Sequence, residues 1–251
     1  MGRTALPSFV ARVCVALIVV VAGACGGGPP DSRAAETDGP PVAERGVQFR
    51  TSDGLTLTGR LFGNGRVGVL LAHMLPADAA SWYPTARRLA RDGYLALAFN
   101  FRGYDGSQGT KSTASAPTDI KAARDLLVRS GARSYAFVGA STGGTAAIVA
   151  AEAQDPLALV AISAPLRFAG LDAVLAAGRV QRPVLLLAAK DDQPAIQSLE
   201  TFSRALPNPD TKVFDGSAHG TNLLASHPEA VDAIVTFLER YAPSVQPSPT
   251  P

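Results

Sequence analysis

The chain has 251 residues, 47% hydrophobic and 18% charged, the balance of a globular protein at the upper end for one domain. Its formal net charge is +2, and setting aside Arg3 and Arg12, which lie in a segment read below as removed, leaves 21 basic against 21 acidic side chains. Nothing in that balance points to nucleic acid or a charged surface as partner. No heptad, internal repeat or metal-ligand cluster is present, and Cys25 is the only cysteine outside the hydrophobic N-terminal run, so no disulfide framework exists in the mature chain.

Arg3 and Arg12 precede the apolar run Val13 to Val21, which ends in Ala22-Gly23-Ala24-Cys25. A basic region, a short apolar core and small residues before a boundary describe a secretory signal peptide over residues 1–24. The run is shorter than the roughly 20 apolar residues of a spanning helix. Small residues followed by cysteine resemble a bacterial lipobox, with Ala22 where leucine is commonest. That resemblance implies a lipidated Cys25, anchored to the outer side of the bacterial cell membrane. Ordinary secretion with a free Cys25 is the alternative. Residues 25–45, rich in Gly, Pro and charge, read as a flexible tether, and residues 243–251 as a disordered tail. The folded domain is then 46–242.

Within it, Val47–Thr51 and Leu55–Phe62 flank Ser52-Asp53-Gly54, a hairpin turn signal. Apolar runs follow at Val67–Ala72, Tyr94–Phe99, Tyr135–Val138, Leu157–Ser163, Val184–Ala189 and, more weakly, Lys212–Phe214. Continuous apolar runs suit strands covered on both faces. Helical patterns lie between them at Ser81–Arg91, Thr118–Arg129, Thr142–Glu152, Gln193–Ala205 and Pro228–Tyr241, the last with Ser226 as cap, proline first and Glu229 three residues after the cap. The alternation predicts one α/β domain with a mostly parallel central sheet and helices on both faces. The connection Pro165 to Arg182 is too short for a lid domain and holds at most one helix, near Leu171–Ala177.

Ser141 sits between Gly139 and Gly143, where the strand ending at Val138 meets the helix beginning at Thr142. So sharp a reversal forces the serine into a strained backbone, and the flanking glycines remove clashing side chains. The serine then stands at the carboxyl end of a strand, above the free N–H groups of a helix N-terminus. A neutral hydroxyl is a poor nucleophile and needs a base. Of the three histidines, His219 lies in a loop after the last strand, facing the same edge. His227 lies at the start of the final helix and reads as surface or capping. His73 ends a strand and reads as structural in its loop. An orienting carboxylate is supplied by Asp191 or Asp192, which follow Val184–Ala189, with Asp172 a weaker third candidate. Both aspartates also suit a helix start.

The order serine, acid, histidine resembles the α/β-hydrolase family. VGASTGG resembles the nucleophile elbow, and LLAHMLPADAASW (Leu70 to Trp82) the loop after the third strand. NFRGYDGSQG (Asn100 to Gly109) is similar to the family's D-x-R-G-x-G-x-S turn, with Asn100 for aspartate and Asp105 for the middle glycine. LLLAAKDD and DGSAHG resemble the acid and histidine loops. The resemblance implies an α/β-hydrolase fold with minimal or no lid, Ser141 as nucleophile, His219 as base, and Asp191, by the family's spacing, as acid. Met74 and Thr142 supply oxyanion N–H groups, and the Arg-Gly turn is structural. The activity implied is that of a serine esterase acting on a small-molecule ester, without cofactor or metal. A peptidase or thioesterase on the same triad, and a binding lipoprotein without catalysis, are the competing functions. Trp82 is a candidate for lining the acyl pocket, against ordinary packing at a helix start. Phe168 and Leu171 are candidates for roofing the site.

Overall fold

The computed structural model of the protein describes Gly2 and residues 41–244. The expected signal peptide (Gly2 apart), Cys25 with the tether as far as residue 40, and the tail from residue 245 lie outside the described residues. Among those described, no helix is long and apolar enough to cross a membrane.

The domain opens with a hairpin of β1 (Glu44–Arg50) and β2 (Thr56–Phe62), paired antiparallel. At the Asp-Gly turn Gly54 takes φ +90°, and the Leu55 N–H donates to the Thr51 hydroxyl at 3.0 Å. β1 starts inside the segment read as tether, because Glu44 pairs with Phe62 and binds Arg87 at 2.6 Å. There follow β3 (Val67–Ala72), α1 (Tyr83–Arg91), β4 (Leu95–Phe99), α2 (Ala116–Arg129), β5 (Ser134–Ala140), α3 (Thr142–Gln154) and β6 (Leu159–Ile162). Two-residue strands β7 (Arg167–Phe168) and β8 (Leu171–Asp172) precede α4 (Ala173–Ala177), β9 (Val184–Ala189), α5 (Gln193–Ala205), β10 (Asp210–Phe214), α6 (Thr221–Ser226) and α7 (Pro228–Tyr241). Among the described residues, eight strands form one sheet in the order β1-β2-β4-β3-β5-β6-β9-β10, antiparallel at β1–β2 and β2–β4 and parallel at the other pairs.

Strand alternation assigns each apolar residue a side. On one side Leu70, Leu97, Phe137 and Leu186 pack with Ile120 of α2, Ile148 of α3 and Phe202 of α5. On the other, Leu71, Ala98, Val138 and Leu187 pack with Leu89 of α1, Leu223 of α6 and Leu238 of α7. Helices therefore cover both faces. α3 is buried along nearly its whole length, between the sheet, α2 and α4, so its sequence is apolar all round.

Several details differ from the sequence expectations. β5 runs on through Gly139 and Ala140, because the ladders to Ala72 and Ile162 continue there. The helix expected from Ser81 starts at Tyr83, after a 3-10 turn over Ala79–Trp82 capped by Asp78. The final helix is capped at His227 and not Ser226, which ends the unexpected helix α6. The connection from β6 to β9 adds the small β7–β8 hairpin to the one helix expected and places no helical domain above the sheet.

Candidate active site

Ser141 follows β5 directly and has φ +48° and ψ −120°, a backbone that non-glycine residues rarely adopt. The flanking glycines make it possible. A Cβ at Gly139 would lie 2.5 Å from the Gly143 carbonyl carbon, and one at Gly143 would lie 2.5 Å from the His73 carbonyl oxygen. The elbow is thus wedged between its own helix and the end of β3. The Ser141 N–H donates to the Ile162 carbonyl at 2.7 Å, fixing it to β6 as well.

His219 arrives on the loop between β10 and α6. Its Nε2 is 2.8 Å from the Ser141 Oγ, and its Nδ1 is 2.6 Å from the Asp192 Oδ2. In the tautomer that satisfies both contacts, Nδ1–H donates to Asp192 and Nε2 accepts from the serine hydroxyl. Asp192 is buried, whereas Asp191 is exposed. The carboxylate on His219 is therefore that of Asp192, not of Asp191 as the family spacing implied. The cause is a turn after β9, in which the Asp192 N–H donates to Ala189 at 3.1 Å while the Asp191 N–H donates to Gly216 at 2.9 Å. Asp191 thus ties the acid loop to the histidine loop by its backbone and leaves its side chain in solvent. Asp192 occupies the N-cap position of α5, but its side chain makes no capping bond. Asp172 is engaged elsewhere: it accepts from Leu175 N at 3.1 Å and from Arg167 at 2.7 Å.

The loop after β3 lies against the elbow. His73 is fully buried; its Nδ1–H donates to the Met74 carbonyl at 2.9 Å and its Nε2 accepts from Phe101 N at 3.2 Å. That pattern requires a neutral ring, and burial pushes its pKa below the usual histidine value. The Leu75 N–H donates to the Thr142 Oγ1 at 3.1 Å. The Met74–Leu75 peptide is held at both ends, a clamp with no signature in the sequence. The Met74 N–H and the Thr142 N–H, the first of α3, donate to no other group among the described residues.

The Arg-Gly turn braces this wall. Arg102 donates to the fully buried Asp119 from Nε and Nη2, at 3.0 and 2.7 Å, and reaches Asp53 at 2.7 Å. Hydrogen bonding to Arg102 lowers the Asp53 pKa to about 2. A cavity of about 60 Å³ opens beside Thr142, with Leu75 and Phe101 in its walls. Trp82 does not line it: the ring is fully buried in the core on the α1 face, a correction to its placement in an acyl pocket. Leu171 is likewise a core residue, and Phe168 is exposed on the β7–β8 hairpin, so neither lines this cavity. Among the described residues, no group of three or more His, Cys, Asp or Glu side chains is arranged to hold a metal ion.

A family model for the alpha/beta hydrolase fold matches residues 68–174. The uncharacterized protein Rv2307c of Mycobacterium tuberculosis is 29% identical over 229 residues, 80% of this chain and 81% of its own. Among solved structures, the Pyrococcus furiosus esterase Pf2001 superposes with a TM-score of 0.68 at 20% identity, over 80% of this chain and 91% of that one. The esterase RhEst1 from Rhodococcus sp. ECU1013 superposes with a TM-score of 0.68 at 15% identity, over 78% and 99%. The protein has the α/β-hydrolase fold.

Proposed function

We propose that the protein is a serine hydrolase of the α/β-hydrolase family that cleaves carboxylic esters through an acyl-enzyme on Ser141. The observation that carries this reading is the unbroken relay from the Ser141 Oγ through His219 to Asp192, at 2.8 and 2.6 Å, on a strained elbow. His219 Nε2 takes the hydroxyl proton as the Ser141 Oγ bonds to the ester carbonyl carbon. Asp192 holds the tautomer and stabilises the imidazolium. The N–H groups of Met74 and Thr142 receive the oxyanion, each such donor being worth about 2.7–4 kcal/mol. When the carbon–alkoxide bond breaks, Nε2–H protonates the leaving alcohol. Water then adds to the acyl-enzyme, losing its proton to Nε2, and collapse returns that proton to the Ser141 Oγ as the acid departs.

An organophosphonate probe tests this reading. It is expected to label the Ser141 peptide of the wild type and not of Ser141→Ala, whose ester turnover falls on the order of a million-fold. Labelling at another serine, or hydrolysis by Ser141→Ala at the wild-type rate, counts against it. Comparison of ester, thioester and aminoacyl amide turnover is expected to favour the ester.

The N-terminal pattern supports export and lipid anchoring at Cys25, on the outer side of the membrane. A clickable palmitate analogue is expected to tag the wild type in cells and not Cys25→Ala; equal tagging of both removes the anchor from the proposal.

A further inference from the structure

The cavity beside Thr142 has a charge imbalance that the triad chemistry leaves unused. Leu75, Phe101 and Ala116 line it with apolar side chains and Lys111, Ser112 and Thr113 with polar ones, and among the described residues no carboxylate lines it. Arg102 also borders it, but its guanidinium is taken up by Asp119 and Asp53. Lys111 has no carboxylate partner among the described residues. Its Nζ stands 4.2 Å from the centroid of the Tyr104 ring, which packs in turn on His73 at 5.0 Å. The ammonium is thus held by an aromatic face rather than by an acid. The chain is brought there by a close turn: Gly103 has φ +77°, and a Cβ on it would lie 2.5 Å from the Lys111 backbone nitrogen.

We infer that the substrate carries an anionic headgroup, a carboxylate or a phosphate-like group, a short chain away from the scissile ester, and that Lys111 binds it from this cavity. The inference rests on the hydrolase reading above and adds the substrate class. The apolar lining suits the short chain, and a cation without an acid partner, beside two hydroxyls, suits its charged end. Lys111 is in this account the residue that separates charged from neutral esters.

Three esters of one chain length test it: methyl hexanoate, monomethyl adipate and methyl 5-phosphonopentanoate. Lys111→Ala is expected to raise KM for the better of the two anionic esters about tenfold, leaving kcat and methyl hexanoate hydrolysis unchanged. Lys111→Arg retains most of the preference. The anionic ester with the larger Lys111 dependence identifies the headgroup. Titration calorimetry of the same esters on Ser141→Ala, and on Ser141→Ala combined with Lys111→Ala, reads binding without turnover. Lys111-dependent binding of an anionic ester that wild type never cleaves supports the inference and sinks the esterase reading alone. Lys111→Ala altering all three esters equally, or none, overturns the inference whatever the fate of that reading.

Discussion

The Nδ2 group of Asn100 donates to the carbonyl oxygen of Asp105 at 3.2 Å and to its carboxylate at 3.3 Å, while the Asn100 Oδ1 accepts the Ala79 N–H at 2.8 Å. Asp105 has φ +28°, in the region that favours glycine. These are the two positions at which the chain departs from the turn pattern it resembles, and the departures compensate each other. An aspartate at 100 would set one carboxylate against another and lose both donors. Asn100→Asp is expected to destabilise the fold by about 1–3 kcal/mol. Asp105→Gly in the same chain restores the part of that loss that comes from the facing carboxylates. Urea denaturation of the four proteins reads the coupling, and strictly additive effects refute it.

Asp192→Asn leaves the shape of the relay but favours the wrong histidine tautomer. Its kcat on a simple ester is expected to fall by about 10⁴. Asp191→Asn, altered only at an exposed carboxylate, is expected to stay within a few-fold of wild type. The reverse ranking returns the acid to Asp191.

Trp82 is fully buried among apolar side chains of the α1 face. Trp82→Ala is expected to cost about 3–5 kcal/mol in chemical denaturation and to leave the relative kcat/KM for short and long acyl esters as it was. A change in acyl preference without loss of stability places the ring in the pocket after all.

His227 bridges Glu229 through Nδ1 and the Asp215 carbonyl through Nε2, both at 2.9 Å. Only the imidazolium donates in both directions. The Glu229 hydrogen bond is the largest cause raising the His227 pKa above its ordinary 6.5. A raised folded-state pKa gives stability that is fully present below the unfolded value and is lost as pH rises through the folded one. The difference in Tm between wild type and His227→Gln is therefore expected to be largest below pH 6.5 and to narrow above it. Proton NMR of the His227 ring checks the pKa directly; a midpoint at or below the ordinary value contradicts the bridge.

The sequence was most legible where local signals agree. Val184–Ala189, Gln193–Ala205 and Pro228–Tyr241 match the observed elements to the residue. An unbroken apolar run marks the first, and a proline in the first turn marks each of the other two. Helix α6 and the β7–β8 hairpin escaped because six and two residues carry no usable period. Ser141 and His219 stood out because each occupies a turn at the carboxyl end of a strand. Between two adjacent aspartates, pattern does not decide. The choice comes from a contact 25 residues away in sequence, Asp191 N to Gly216 O, which exists only after β9 and β10 have paired. The burial of Trp82 is likewise a property of the assembled α1 face.

The Met74–Leu75 peptide, fastened by the His73 ring on one side and the Thr142 hydroxyl on the other, gives up its freedom when the domain folds and not when a ligand arrives. Heat must then break both of these hydrogen bonds before this wall of the site loosens. Catalytic competence and tertiary structure should vanish at one temperature, so the thermal half-life of activity reports on the whole sheet.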